Sequence, residues 1–374
     1  MQEPLTSREA VLVLNAVSGV GPVLYRRLME TFGSPERILE ADEYALTRVE
    51  GVGPKTAQAI RDWATTFSLS KEKRLLLDWG AVFLTPDDAA FPPLLRKIYD
   101  CPLGLYMLGD VMCLKKPCVS IVGSRRSTLY GISVAKKLAA GLARAGFCVV
   151  SGMARGIDAA AHEGALEAGG STLAVLGSGI DIVYPPENKE LYDAIRQKGL
   201  IVSEFPFGRT VNRQTFPMRN RIISGLSEAV IVVESAIHGG SMITANTAGE
   251  QGRTLMAIPG RIDQVSSQGC HQLIRDGAIL VTSVEDVLEE LAYGAQQLEM
   301  QLPSASKPRP VMSLSPLEQK IYQALADGAC VGLDALAERT GMPISDVAST
   351  LLLLELKKQV VKRADGTFEA RVFA

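Results

Sequence analysis

No stretch of this chain stays apolar for long enough to cross a bilayer. That predicts no membrane partner, and the polar, acidic segment Met1–Ala10 carries no mark of a secretory leader. The six cysteines, at 101, 113, 118, 148, 270 and 330, include no C-x-x-C pair and no cysteine–histidine cluster at zinc spacing. A zinc centre and a disulfide framework are therefore not expected. Scattered thiols in apolar surroundings predict free buried cysteines in the reducing cytoplasm. An excess of positive charge is missing as well, since 39 lysines and arginines face 41 acidic residues for a formal net charge of −2. A uniformly basic binder of nucleic acid is excluded, and any such site has to be a local patch.

What is present is ordinary in composition and long for one core. At 374 residues and 47% apolar content, two or three domains are expected. In the first 70 residues "VSGVGPVLYRRL" (Val17–Leu28) returns as "VEGVGPKTAQAI" (Val49–Ile60). Each unit is a Gly-Val-Gly-Pro turn followed by a helical pattern, with proline suited to the first turn. A helix-hairpin-helix can hold a phosphate on such uncovered backbone N–H groups. A purely structural helical adaptor reads equally well, because the nearby basic residues are few: Arg26, Arg27 and Lys55. A connecting segment, 71–115, follows.

From 116 to 292 the pattern changes. "CVSIVG", "FCVVSG", "STLAVLG", "LIVSEF", "AVIVVE", "TLMAIPG" and "AILVTS" are short apolar runs separated by helical stretches such as Gly131–Gly146 and Asp158–Ala168. That alternation predicts a parallel sheet covered on both faces, with the ligand site beyond the carboxyl ends of the strands. After a Pro/Ser/Gln-rich linker at 293–314, residues 315–374 read as a winged helix. Its helices are expected near Pro316–Leu325, Leu333–Thr340 and Ile344–Lys358, with Asp365-Gly366 at the turn of a terminal hairpin. The third helix has no lysine or arginine over Ile344–Leu356 and carries four consecutive leucines. Burial of those leucines, with a packing or protein-contact role, is expected in place of major-groove reading.

Unusual residues gather in the loops at the strand ends. "SIVGSRRSTLYG" places Ser124, Arg125 and Arg126 in a glycine turn before a helix, where backbone N–H groups and arginine can meet an anion. It holds neither a glycine–lysine–serine/threonine P-loop nor a G-x-G-x-x-G fingerprint. "SGMARGIDAAAHEGAL" repeats the arrangement with Arg155. Asp158 is the expected N-cap there, and His162 a structural rather than catalytic histidine. "VVESAIHGGSMITANTAGEQGR" supplies a third small-residue turn at Gly240 and Ser241. Between "LIVSEF" and "AVIVVE" lies "RTVNRQTFPMRNR", with Arg209, Arg213, Arg219 and Arg221, one phenylalanine and no carboxylate. Arginines for a phosphodiester backbone and an aromatic for a base are the components of a single-strand site. Arg219 and Arg221 can equally pair with Glu204, Glu228 or Glu234, which leaves Arg209 and Arg213 as the better phosphate candidates.

Taken in order, "IVGSRRSTLYG", "SGMARGIDAAAH", "AVLGSGIDIVYPPEN", "SEFPFG", "FPMRNRIISGLS", "GGSMITANTAGEQGR" and "AIPG" closely resemble the DNA-processing protein A (DprA/Smf) family. The resemblance implies an extended Rossmann-like parallel-sheet core, a small all-α N-terminal domain and a C-terminal winged helix. It implies a non-enzymatic, cofactor-free protein of natural transformation that binds single-stranded DNA, loads RecA and forms a homodimer through the core. Carried over, Ser124 and Arg125 belong to the phosphate loop, Arg213 fills a basic position, and Phe216 stacks on a base. Arg219, Asn220 and Arg221 form the polar centre of their motif, and Arg126 ranks below Arg125. The rival reading is a nucleotide-processing enzyme of phosphoribohydrolase type, whose "PGGxGT"-like loop is matched only in its glycines by "ESAIHGGSMIT".

Overall fold

A computed structural model describes residues 4–291, 314–325, 331–357, 359–363 and 366–370. The chain divides into two compact units, Met1–Gln301 and Leu302–Ala374, each taken here by itself. The expected linker lies outside the described residues except for Leu314, as do Lys358 and Asp365.

Nine strands form the sheet of the first unit: β1 Val82–Leu84, β2 Leu105–Gly109, β3 Cys118–Val122, β4 Cys148–Ser151, β5 Ser171–Leu176, β6 Leu200–Ser203, β7 Ala229–Val232, β8 Thr254–Ala257 and β9 Ile279–Leu280. Their order is β1-β2-β6-β5-β4-β3-β7-β8-β9. The seven apolar runs are the seven strands β3 to β9, all parallel. The connecting segment 71–115 adds what periodicity did not show, two strands that run antiparallel along one edge. Three-residue β1 is too short to display an alternation.

Strands buried on both faces explain the unbroken apolar runs. In β3 and β7, Val122, Val230 and Val232 enter one core, while Val119, Ile121, Ala229 and Ile231 enter the other, as a period of two requires. The first face is covered by helices Thr215–Leu226, Gly240–Glu250 and Val265–Arg275, through Ile222, Ile223, Leu226, Ala245, Ala248, Cys270 and Leu273. Helices Leu129–Arg144 and Ile157–Glu167 cover the second. Farther along that second face the N-terminal helices share one core with the sheet. Val11, Leu14, Leu28 and Ile60 belong to the same buried cluster as Tyr106, Ala174, Leu176 and Ile201.

The two Gly-Val-Gly-Pro turns are built alike. Helices Pro22–Phe32 and Pro54–Arg61 start at their prolines behind Gly21 and Gly53, neither with a side-chain cap. Gly19 and Gly51 have φ of +90° and +92°, a region that favours glycine.

In the second unit, helices Pro316–Leu325, Leu333–Thr340 and Ile344–Leu356 enclose Ile321, Leu325, Leu336, Val347, Leu351 and Leu354. Strands Val360–Lys362 and Phe368–Ala370 pair antiparallel beside them. The four leucines divide. Leu351 and Leu354 are buried, but Leu352 and Leu353 are 59% and 49% exposed, because neighbouring residues on a helix cannot all face one core.

Candidate nucleic-acid interface

The carboxyl ends of β3, β4 and β5 enclose an open pocket of about 380 Å³. Arg125 follows β3; Gly152, Ala154 and Arg155 follow β4; Leu176, Gly177, Ser178, Tyr184 and Pro185 come from β5 and its loop. Val211, Phe216 and Arg219 complete the wall. The rim is therefore a convergence of loops that the parallel strands bring to one edge.

Arg125 is an exposed cation of this wall. Its guanidinium carbon lies 4.6 Å from the centroid of the Phe216 ring, a cation–π contact. Among the described residues it makes no ion pair. Tyr184 tilts against the same phenylalanine with ring centroids 5.8 Å apart. Ser124 serves the loop: its N–H donates to the Glu234 carbonyl (2.7 Å), and its hydroxyl accepts from the Arg126 N–H (3.0 Å). Two of the backbone donors expected to meet an anion there are thus used internally, which shifts the role toward the arginine side chains.

The arginines of "RTVNRQTFPMRNR" separate sharply. Arg209 and Arg213 are exposed, with no ion pair among the described residues. Neither lines the pocket; they lie in the loop that leads into helix Thr215–Leu226. Arg221 is buried, paired with Glu204 and also bonded to the Asp100 carbonyl. The Glu204 pairing anticipated from sequence is therefore present, and Arg221 holds the helix to the strand instead of facing the pocket. Arg219 pairs with none of the three glutamates. Only 4% exposed, it lies under the pocket and donates from Nη1 to the Val175 carbonyl (2.8 Å), while its Nε finds no acceptor among the described residues. Burial lowers its pKa to about 10, opposed by Asp158 and assisted by Arg125. Gly152 makes room for it, since a Cβ there would stand 2.7 Å from Nη2 and closer still to Nη1 and Cζ. Asn220 is half-buried on the same helix, away from the pocket lining.

Several expected contributors do other work. Arg155 lines the pocket, but its charge is met by Glu187. Asp158 is not the N-cap, a place taken by Gly156; it sits in the first turn, accepts from the Ala154 N–H (3.4 Å), and burial raises its pKa. His162 is wholly buried against the Thr172 hydroxyl (2.6 Å), and burial lowers its pKa to about 3. A neutral imidazole sealed in the core is structural. Gly240 and Ser241 start a helix that does not line the pocket, and the Ser241 hydroxyl donates to Ser235 (2.8 Å). In the N-terminal turns, Arg26 stacks on Tyr99 (4.4 Å) and Arg27 donates to the Glu50 carbonyl (3.0 Å), so both are held internally.

Sequence reasoning missed Tyr184 and Pro185, although "AVLGSGIDIVYPPEN" contains them, because nothing local shows that β5's loop folds over Phe216. It also missed Glu234. The strand order reverses between β3 and β7, where doubly wound folds seat phosphate on a helix N-terminus. Here Glu234, 2% exposed, fills that place. It accepts from the Thr128 N–H (2.9 Å) and hydroxyl (2.5 Å) at the start of helix Leu129–Arg144, and Gly131 leaves no Cβ in its way. The open pocket lies one strand over.

The chain resembles known proteins over most of its length. Residues 82–292 match the model of the DNA recombination-mediator protein A family, 305–366 that of the DprA winged helix domain, and 11–64 that of a SAM-like helix-hairpin-helix tandem. Protein Smf of Synechocystis sp. is 36% identical over 393 residues, covering 96% of this chain and 98% of its own. The solved structure of DNA processing protein A from Streptococcus pneumoniae superposes with a TM-score of 0.68 at 36% identity, over 76% of this chain and 98% of that one. DNA processing protein A from Helicobacter pylori, whose structure describes a single-stranded DNA binding mode, gives 0.53 at 30% identity, over 57% and 96%. With its core and both flanking domains matched, the chain belongs to the DNA recombination-mediator protein A family, the DprA/Smf proteins.

Proposed function

We propose that this protein binds single-stranded DNA at the rim pocket with little sequence preference, in the processing of DNA for transformation and recombination. The observation that carries the reading is the guanidinium of Arg125, without an ion pair among the described residues, lying over Phe216 in the pocket wall. Arg219 stands beneath, and Arg209 and Arg213 lie in the adjoining loop. A phosphate meets Arg125 and Arg213, while Tyr184 and Phe216 offer apolar surface to a base. Ser124 and Gly152 act by shaping this wall. Delivery of the strand to RecA and a homodimer through the α/β core complete the proposal. Exposed Ile262 (89%) and Val265 (65%) in the core lend support to the dimer.

The reading is non-enzymatic. His162 and Asp158, the buried pair conceivable as acid–base groups, are taken up by the Thr172 hydroxyl and the Ala154 N–H. Fluorescence anisotropy with oligonucleotides of several sequences, over a range of salt, tests the site. Arg125→Ala and Arg213→Ala should each weaken all sequences about tenfold and reduce the salt slope by about 0.7. Wild-type affinity in both variants refutes the site, and release of free base from nucleoside monophosphates refutes the non-enzymatic reading.

A further inference from the structure

The loop that carries Arg209 and Arg213 is not held by the sheet alone. Where it leaves β6, the Glu204 carbonyl accepts from Asn15 Nδ2 (2.8 Å), in the N-terminal helix Ser7–Ala16. Three residues on, the Phe207 N–H donates to Glu72 Oε1 (3.0 Å), in helix Leu69–Trp79. The same oxygen accepts from the Tyr106 hydroxyl (2.8 Å). The Phe207 ring packs on Trp79 (6.2 Å) and edge-on against Tyr106 (5.7 Å), and Arg196 covers Trp79 at 5.2 Å. Asp181 then receives the Gly208 N–H (2.9 Å) at a turn with φ of +76°. Arg209 follows immediately.

Glu72 is 5% exposed. An apolar residue would fill that space without the cost of burying a carboxylate, so packing alone does not account for it. What a carboxylate supplies is an acceptor for a loop N–H that no strand or helix satisfies. At its far end the loop is closed locally, since Asn212 Oδ1 accepts from the Gln214 and Thr215 N–H groups (2.9 and 3.0 Å). The strand-side anchor is therefore the one that depends on the N-terminal helices.

We infer that Glu72 is a positioning residue for DNA binding, through which helix Leu69–Trp79, at the join of the N-terminal helices and the connecting segment, latches the basic loop without touching DNA. The inference rests on the reading of Arg213 as a phosphate contact. It gives the helical region a part in strand capture that does not need its glycine turns to bind phosphate.

A double-mutant cycle in the full chain, read by anisotropy and salt slope, tests it. Glu72→Ala should weaken single-strand binding about tenfold and lower the salt slope. Glu72→Gln keeps Oε1 as an acceptor for both donors and should restore binding to within about twofold. In an Arg213→Ala background, Glu72→Ala should add clearly less than its tenfold loss, because both act on one contact. Wild-type binding by Glu72→Ala, a fully additive loss, or a Glu72→Gln as impaired as the alanine variant overturns the latch. If Arg213→Ala itself binds normally, the site reading fails and not the latch alone. Should Glu72→Ala not fold, Phe207→Leu, which keeps the amide bond and removes the ring contacts, replaces it in the cycle with an expected threefold loss. Unchanged affinity there also overturns the proposal.

Discussion

Gly152→Ala adds one methyl group and removes nothing, yet it should disable the pocket from below. The new Cβ would lie 2.7 Å from Nη2 of Arg219 and would overlap Nη1 and Cζ. Ordinary contact requires about 3.5 Å, so the guanidinium must leave. Leaving breaks its bond to the Val175 carbonyl, a charge-assisted interaction of about 1.5–3 kcal/mol. For a unit of this size that loss lowers Tm by roughly 5 °C. The cation under the pocket is also displaced, so single-strand affinity should fall about tenfold or more, at 1.4 kcal/mol for each factor of ten. Gly177→Ala is the control on the same wall: its Cβ would meet Thr215 and Phe216 at 3.5–3.6 Å, which is ordinary contact. Thermal melting and anisotropy on both variants decide the matter. A Gly152→Ala protein that melts and binds like wild type, or a Gly177→Ala protein equally impaired, refutes the assignment of Arg219 to the pocket floor.

Two other outcomes follow from buried groups. His162 has a folded pKa of about 3 against about 6.5 in the unfolded chain, so the unfolded state takes up the proton and stability falls as pH drops below 6.5. The loss at pH 5 is about 2 kcal/mol; urea melts at pH 7 and 5 should show it in wild type and not in His162→Gln, and equal pH slopes would contradict it. Arg221→Ala leaves Glu204 buried without its partner and should cost about 3–5 kcal/mol, seen in denaturant melts, with the salt slope for single strands unchanged. A lowered slope would return Arg221 to the DNA contacts.

The parallel core was legible because it is written in local pattern: buried strands rich in valine and isoleucine, several ending in a glycine or serine turn. Arg125 and Phe216 were legible because a cation in a sheet-end loop and an aromatic at the start of a helix beside it have few structural uses. The fates of Arg219 and Arg221 were not, since two residues apart on one helix they meet entirely different neighbours, Val175 and Glu204. Tyr184 and Glu72 reach their partners across the fold, and no spacing in the chain announces those meetings. β1 escaped notice for another reason, being a three-residue edge strand that pairs with β2, as β2 pairs with β6. The leucine run misled because apolar character was taken to imply burial, although a helix turns about 100° per residue, so four in a row cannot share one face.

Glu234 has a consequence for how this protein meets changing conditions. A free nucleotide on a helix N-terminus stabilises a fold only in proportion to its concentration over its dissociation constant. The Glu234 carboxyl group is joined to the chain by covalent bonds, so its occupancy at Thr128 is independent of any metabolite pool. The junction of β3 and β7, from which the Arg125 loop springs, keeps its electrostatics whether nucleotides are scarce or abundant. The rim is thus set by the chain itself, and only the strand it captures varies.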